Sequence, residues 1–174
     1  MNLKRYLMLS LMLLSTIAIS CKKDNIDFNS DFKKSQKAWL DFKAASNNSY
    51  RYTVTSGSWT GTSSETVVTI QNGIATGRSY VYKFTESTPA RTERILEQWV
   101  EDRTTINTHP NAVPPNTLDQ VYELAKTDWL IKRKGVKTYF ERNNDGMISS
   151  CGYVEDGCQD DCFRGITISK IEKL

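Results

Sequence analysis

The chain has 174 residues, a length typical of one domain, with 23 lysines and arginines, 20 aspartates and glutamates and a single histidine. The near balance of charge argues against a nucleic-acid-binding protein, which needs a basic surface. No phosphate-binding loop, dinucleotide fingerprint or two-histidine metal motif is present.

The first 21 residues have the composition of a bacterial export signal. Lys4 and Arg5 precede a short apolar run, and the small residues Ala18 and Ser20 stand before Cys21. A cysteine at the cleavage point resembles the signal of lipoproteins, in which the thiol carries lipid and the peptide is cut just before it. The resemblance implies a mature chain that begins at Cys21 and is anchored to a membrane. An ordinary secretory signal and a transmembrane anchor are the alternatives, although the run is short for a span of ~20 residues.

Three segments follow from this signal. Residues 1–20 are predicted to be the signal peptide, residues 21–30 a lipidated cysteine with a polar, flexible tether, and residues 31–174 a single domain. Lys22 follows the cysteine, and by the same resemblance to Gram-negative lipoproteins a residue other than aspartate implies passage to the outer membrane. The expected location is therefore the cell envelope, with the membrane as a partner through Cys21.

One helix and a series of strands are predicted for the first half of the domain. Apolar residues recur at helical spacing over 31–45, and alternation with a period of two begins near Tyr50. Asn72-Gly73 is typical of a tight hairpin turn between two strands. Residues 91–105 fit both a helix and a strand, and we favour a strand.

The second half is predicted to contain one helix and three strands. Thr117 and Gln120 have the spacing of a capping box, so a helix begins there, and Gly135 is suited to end it. Strands are predicted over 136–141, 147–154 and 163–171. The predicted fold class is α+β, an antiparallel sheet of about six strands with two amphipathic helices packed on one face.

Three cysteines lie close together near the C-terminus, namely Cys151, Cys158 and Cys162. In an oxidising compartment one pair is expected to form a disulfide, which leaves one free thiol. The sequence does not determine which two pair. A zinc site is the alternative, but it needs a fourth ligand, and the single histidine, His109, is distant in sequence.

Carboxylates near the C-terminus are the candidate metal ligands. Residues 141–149 resemble the first nine positions of a calcium-binding loop, with oxygen donors at alternate positions and then Gly146. Position twelve is Gly152, which supplies no carboxylate, so a simple β-turn is the alternative. The candidate calcium ligands are Asp145, Asp156, Asp160 and Asp161.

Catalytic signals are weak. His109 precedes a proline in an irregular segment, and the sequence has no Gly-x-Ser-x-Gly motif. A hydrolase that uses the acidic residues 155–161 is conceivable, because paired carboxylates catalyse glycoside hydrolysis. The sequence analysis therefore predicts a non-enzymatic protein without an obligatory cofactor.

The elements together resemble a family of small exported bacterial proteins of unknown function. The residues that carry this resemblance are Trp39, Tyr50, Tyr52, Val67 to Ile70, Thr117-Leu118-Asp119, Tyr139 and Gly146. That family often has Cys-x-Cys after its first strand, where this chain has Ser56-Gly57-Ser58. The resemblance implies no particular activity. We therefore expect a membrane-anchored binding or interaction module with an envelope protein as a partner, or alternatively a calcium-stabilised envelope domain.

Overall fold

The described residues form seven strands and two α-helices. The computed structural model describes residues 25–86, 91–110, 112–160 and 162–174. In chain order the elements are α1 (Asn29–Ala45), β1 (Tyr50–Gly57), β2 (Thr62–Gln71), β3 (Ile74–Glu86), β4 (Thr92–Glu101), α2 (Leu118–Leu124), β5 (Val136–Glu141), β6 (Ser150–Glu155) and β7 (Arg164–Lys173). Helix α2 continues directly into a π-helical turn at Ala125–Trp129.

The strands join one antiparallel sheet in the order β4-β3-β2-β1-β7-β6-β5. The α+β class is confirmed, but the sheet has seven strands where about six were predicted. The ambiguous segment 91–105 accounts for the difference, because it contributes β4, which pairs with β3 as far as Arg78↔Glu101. The strand interpretation of this segment is therefore confirmed.

Two local signals in the sequence fix the ends of elements as predicted. Asn72 and Gly73 form the β2–β3 hairpin turn with φ angles of 51° and 78°, the left-handed values that this type of turn needs. Thr117 caps α2, and both hydrogen bonds of the capping box with Gln120 are present. Each element end is set by side chains within three residues of it.

Both helices pack against the middle of the sheet through aromatic side chains. The rings of Trp39 in α1 and Tyr50 in β1 lie 5.1 Å apart, edge to face. The Trp39 indole donates a hydrogen bond to Asp119 at 2.9 Å, and the Tyr50 hydroxyl accepts one from the Leu118 amide at 2.8 Å. Tyr122 in α2 joins Ser35 in α1 at 2.8 Å. These contacts fasten the two helices to each other and to β1.

Residues 25–30, which the sequence assigned to a flexible tether, are ordered and contact the domain. Ile26 is only 6% exposed and forms a β-bridge with Ile131. The Asp27 amide donates to the Leu130 carbonyl at 2.8 Å, and Thr138 donates to the Asp27 carboxylate at 2.7 Å. Helix α1 then begins at Asn29, two residues before its predicted start. The segment from 25 to 30 therefore belongs to the domain, because Ile26 is buried and the backbone around it is paired.

Candidate binding cleft

The central strands β1 and β7 separate partway along their length. They pair with each other only as far as Val54↔Ile168, where the register shifts. Beyond that point β1 continues to Gly57 beside β2, whereas residues Arg164 to Thr167 of β7 pair with β6. The sheet therefore forks, and we call the two separated strand ends the arms of the fork.

A cavity of about 830 Å³ lies in this fork. Its volume is in the range of ligand-binding pockets, roughly 300–1,000 Å³. The cleft is lined by hydroxyl-bearing serine, threonine and tyrosine side chains and by the apolar side chains of Val54, Val113, Phe163 and Ile166. None of the lining residues that the structure describes is Asp, Glu, Lys, Arg or His. The cleft is thus suited to an uncharged ligand, and its described surface carries no carboxylate or imidazole for acid–base catalysis.

One wall of the cleft is a loop that a buried ion pair holds in place. Arg78 in β3 and Glu101 in β4 share two hydrogen bonds of 2.9 Å, and both side chains are fully buried. Arg78 also donates to the carbonyl oxygens of His109 and Val113, each at 2.8 Å. Glu101 accepts from the backbone amides of Asn107 and His109, again at 2.8 Å. This clamp therefore fixes the loop that presents Val113 to the cleft.

The carboxyl group of Glu101 remains ionised inside the clamp. Burial by itself raises the pKa of Glu101, but the hydrogen bonds from Arg78, His109 and Asn107 outweigh it and hold the pKa far below its ordinary value of 4.5. A buried ion pair compensates its own desolvation only when its remaining donors and acceptors are also satisfied. The loop backbone meets that requirement here, so the loop and the ion pair stabilise each other.

His109 is part of this support rather than of a catalytic pair. Its ring stacks on Trp99 at 4.2 Å between centroids, and Trp99 stacks on Tyr80 at 5.2 Å. Its Nδ1 atom lies 2.9 Å from a Glu101 oxygen, an arrangement that also orients catalytic imidazoles. The adjoining hollow measures only about 60 Å³, far below a typical ligand site. The geometry therefore favours a structural role for His109.

The clamp was not predicted from the sequence, although the sequence contains one signal for it. Arg78 lies in phase with Tyr80 and Tyr82 on β3, so the alternation of the strand places its charge on the same face as those aromatic rings. A charged side chain on the face that packs against the core requires a buried partner. Its partner, Glu101, could not be assigned while the segment around it was ambiguous between helix and strand.

The opposite wall contains the disulfide. Cys158 and Cys162 are bonded, with Cα atoms 6.1 Å apart, and Cys162 lines the cleft. The prediction of one disulfide within the C-terminal cluster is confirmed, and Cys151 is the free thiol, buried in the core, where burial raises its pKa. The Trp59 indole on the β1–β2 loop approaches the Asp160 carboxylate at 3.5 Å. The two loops thus meet at the end of the cleft.

The predicted calcium ligands are not brought together. Asp145 is exposed in the β5–β6 turn with a φ of 49°, whereas Asp156 and Asp160 follow the other end of β6. The six residues of β6 place these ends roughly 16 Å apart, too far for one ion to bind both. The backbone amide of Met147 donates to the Asn144 carbonyl oxygen at 2.8 Å, the hydrogen bond expected for the β-turn alternative. Asp161 lies outside the described residues.

No joint calcium site therefore forms from the described candidates. Within the described ranges, no group of three or more histidine, cysteine, aspartate or glutamate side chains could hold a metal ion. Cys21, the predicted lipidation site, also lies outside the described residues, so lipid attachment stays a prediction.

Comparison with known proteins identifies no relative. No protein-family model, no curated protein and no solved structure matches this chain. The resemblance to a family of exported proteins therefore stays a prediction. In the part of the chain that the structure describes, no helix is both long and apolar enough to cross a membrane.

Proposed function

We propose that this protein is a lipid-anchored envelope lipoprotein whose domain acts as a non-catalytic binding module, with the fork cleft as its ligand site. The cavity of about 830 Å³, lined by hydroxyl and apolar groups, is the observation that carries this proposal. A cleft of this size with dispersed polar groups is the usual form of a small-ligand site. The absence of carboxylate, amine and imidazole groups among its described lining residues favours binding over catalysis.

The proposed anchor holds the domain close to the bilayer. The Lys132 amide donates to the Asn25 carbonyl at 3.1 Å, so the chain is already fixed to the domain at Asn25. Four residue steps separate this position from Cys21, which allows a reach of at most about 14 Å. Several acyl chains on one cysteine would hold the protein stably, whereas a single chain binds reversibly.

Intact mass measurement of the protein purified from its host envelope tests the anchor. We expect a chain that begins at Cys21, carries acyl groups and gains two hydrogens on reduction of its disulfide. The Cys21→Ala variant is the control and should lose both the acyl mass and its fractionation with envelope membranes. Normal processing and membrane retention of this variant would contradict the lipid anchor.

A cleft-filling variant tests the binding module. Ser64 on β2 lines the cleft, and Ser64→Trp places an indole in it. The control Ser79→Trp makes the same change on the neighbouring strand β3, on the opposite face of the sheet. Thermal shifts are measured with three panels of uncharged probes, which are short peptides, oligosaccharides and acyl chains. A probe at a hundred times its Kd should raise the Tm of the wild type and of Ser79→Trp by roughly 5–10 °C, but not that of Ser64→Trp. The proposal fails if no probe class gives this pattern.

A further inference from the structure

We propose that the occupant of the cleft is an extended, uncharged strand of a partner polypeptide, which inserts between β1 and β7 and pairs with both arms of the fork. This inference rests on the proposed function and names the ligand class of the same site. It would make the cleft a site of β-strand addition, in which backbone hydrogen bonds supply affinity and side-chain pockets supply selectivity.

The arm formed by β7 directs backbone groups into the fork. The Ile168 amide donates to the Ser149 carbonyl at 2.8 Å, on the side of β6. Successive residues of a strand direct their N–H and C=O groups to alternate sides. Gly165 and Thr167 therefore direct theirs away from β6, toward the cleft.

The arm formed by β1 has the matching arrangement. The Ser58 amide donates to the Thr62 carbonyl at 2.8 Å, on the side of β2. By the same alternation Thr55 and Gly57 direct their backbone groups into the fork, where β1 no longer pairs with β7. Among the described residues no strand pairs with either of these edges, which face each other across one cavity. Such edges readily pair with another chain.

Gly57 supports the approach of a second backbone. Its φ is not in the left-handed region, and a Cβ at this position would lie 3.9 Å from its nearest neighbour, the Thr62 carbonyl oxygen. The fold itself therefore gives no reason for glycine here. Glycine within a strand often marks a position where another backbone comes close, as an inserted strand would.

The length and direction of the inserted strand follow from the arms. The unpaired part of β1 covers three residues, and the part of β7 that has left β1 covers four. At about 3.3 Å per residue the fork accommodates roughly 10–13 Å of extended chain, or about four residues. Because β1 and β7 run antiparallel, the insert pairs parallel with one arm and antiparallel with the other.

The side chains of the insert are constrained by the lining. Alternate residues would face Val54, Val113 and Ile166, whereas the others face outward. The described lining holds no charged group to compensate a buried charge, so an uncharged, β-branched sequence fits best. An acyl chain would leave the polar edges unsatisfied, which disfavours it as the occupant.

Amide hydrogen exchange of the mature protein in detergent micelles tests the inference. The probe is a capped hexapeptide of alternating threonine and valine, and its control is the same peptide with every backbone amide N-methylated. Exchange at the amides of residues 55, 57, 165 and 167 should slow by roughly tenfold or more with the probe, because exchange then requires breaking new ladder bonds. The N-methylated peptide should give no protection, and Ser64→Trp should abolish the effect while Ser79→Trp retains it.

The outcomes separate this inference from the binding module. If the N-methylated peptide protects equally, or if protection falls outside the two arms, strand insertion is overturned. If an uncharged oligosaccharide or acyl chain protects the cleft and the peptide does not, strand insertion is overturned but the binding module stands. Circular dichroism of both tryptophan variants shows whether each is folded before it is scored.

Discussion

The clamp on the loop after β4 gives a prediction whose size follows from the structure. Glu101→Gln preserves the shape of the side chain but removes the negative charge that faces Arg78 at 2.9 Å, with both side chains buried. Removal of one partner from a buried ion pair costs about 3–5 kcal/mol, because the other charge is left uncompensated. At roughly 2–4 °C per kcal/mol for a domain of this size, the Tm should fall by about 6–20 °C.

Thermal melting at neutral pH, followed by circular dichroism, measures this loss. Glu97→Gln is the matched control, since Glu97 is an exposed glutamate on the same strand, and its effect should stay within about 0.5 kcal/mol. The double variant Arg78→Met, Glu101→Leu should recover much of the lost stability, because it removes both buried charges together. A Glu101→Gln protein that melts within about 2 °C of the wild type would refute the clamp.

The same carboxyl group makes the free energy of unfolding depend on pH. Its pKa in the folded state lies far below the ordinary 4.5, so near pH 4 the unfolded chain binds more protons than the folded one. The contribution of Glu101 is complete above the unfolded pKa and is lost as the pH falls toward the folded pKa. Between about pH 5 and pH 2, the Tm of the wild type should therefore fall more steeply than that of the double variant.

Three further predictions concern the cleft walls and the metal site. Gly165→Ala should destabilise by about 1–3 kcal/mol or more in urea denaturation, because its Cβ would lie 2.1 Å from the Cys151 carbonyl oxygen; an unchanged midpoint would contradict that packing. Reduction of the Cys158–Cys162 disulfide should cost at most about 2 kcal/mol, since the closed loop is short, and a larger loss in the same assay would show that the bond also stabilises the folded state directly. Melting midpoints with calcium and with a chelator should agree, because Asp145 and Asp156 lie at opposite ends of β6, whereas a calcium-dependent shift would reveal a site outside the described residues.

The elements that the sequence predicted well are those set by neighbouring residues. The Asn72-Gly73 turn and the Thr117–Gln120 capping box each depend on residues that are no more than three positions apart in the sequence. The segment around β4 was ambiguous for a physical reason. Its pairing with β3 shifts register between Tyr82 and Lys83, so Leu96 is an extra residue in the strand and interrupts its alternation. The interrupted pattern placed apolar residues at helix-like spacing.

The fork could not be predicted from sequence because it depends on the registers of three strands at once. The register of β1 and β7 shifts between Ile168 and Lys170. Which strand β7 would then join is decided by contacts far away in sequence. Gly165 pairs with Gly152 of β6, and the ring of Phe163 lies against Gly152, where any Cβ would clash. Two glycines permit this close approach, but the residues next to them in the sequence do not predict it.

The open fork has an energetic cost that bears on the proposed function. If β1 and β7 paired to their ends, the backbone groups of Thr55, Gly57, Gly165 and Thr167 would gain ladder hydrogen bonds, and the two inner edges of the fork would be closed. Instead the Arg78–Glu101 clamp holds one wall of the cleft and the Cys158–Cys162 disulfide borders the other. Natural proteins accept lower stability where function needs an unsatisfied surface. Because the walls around the two open strand edges are rigid, the domain loses little conformational entropy when a strand binds. This preorganisation favours binding. The same geometry that lowers the stability of the free domain is therefore what a strand-binding module would need.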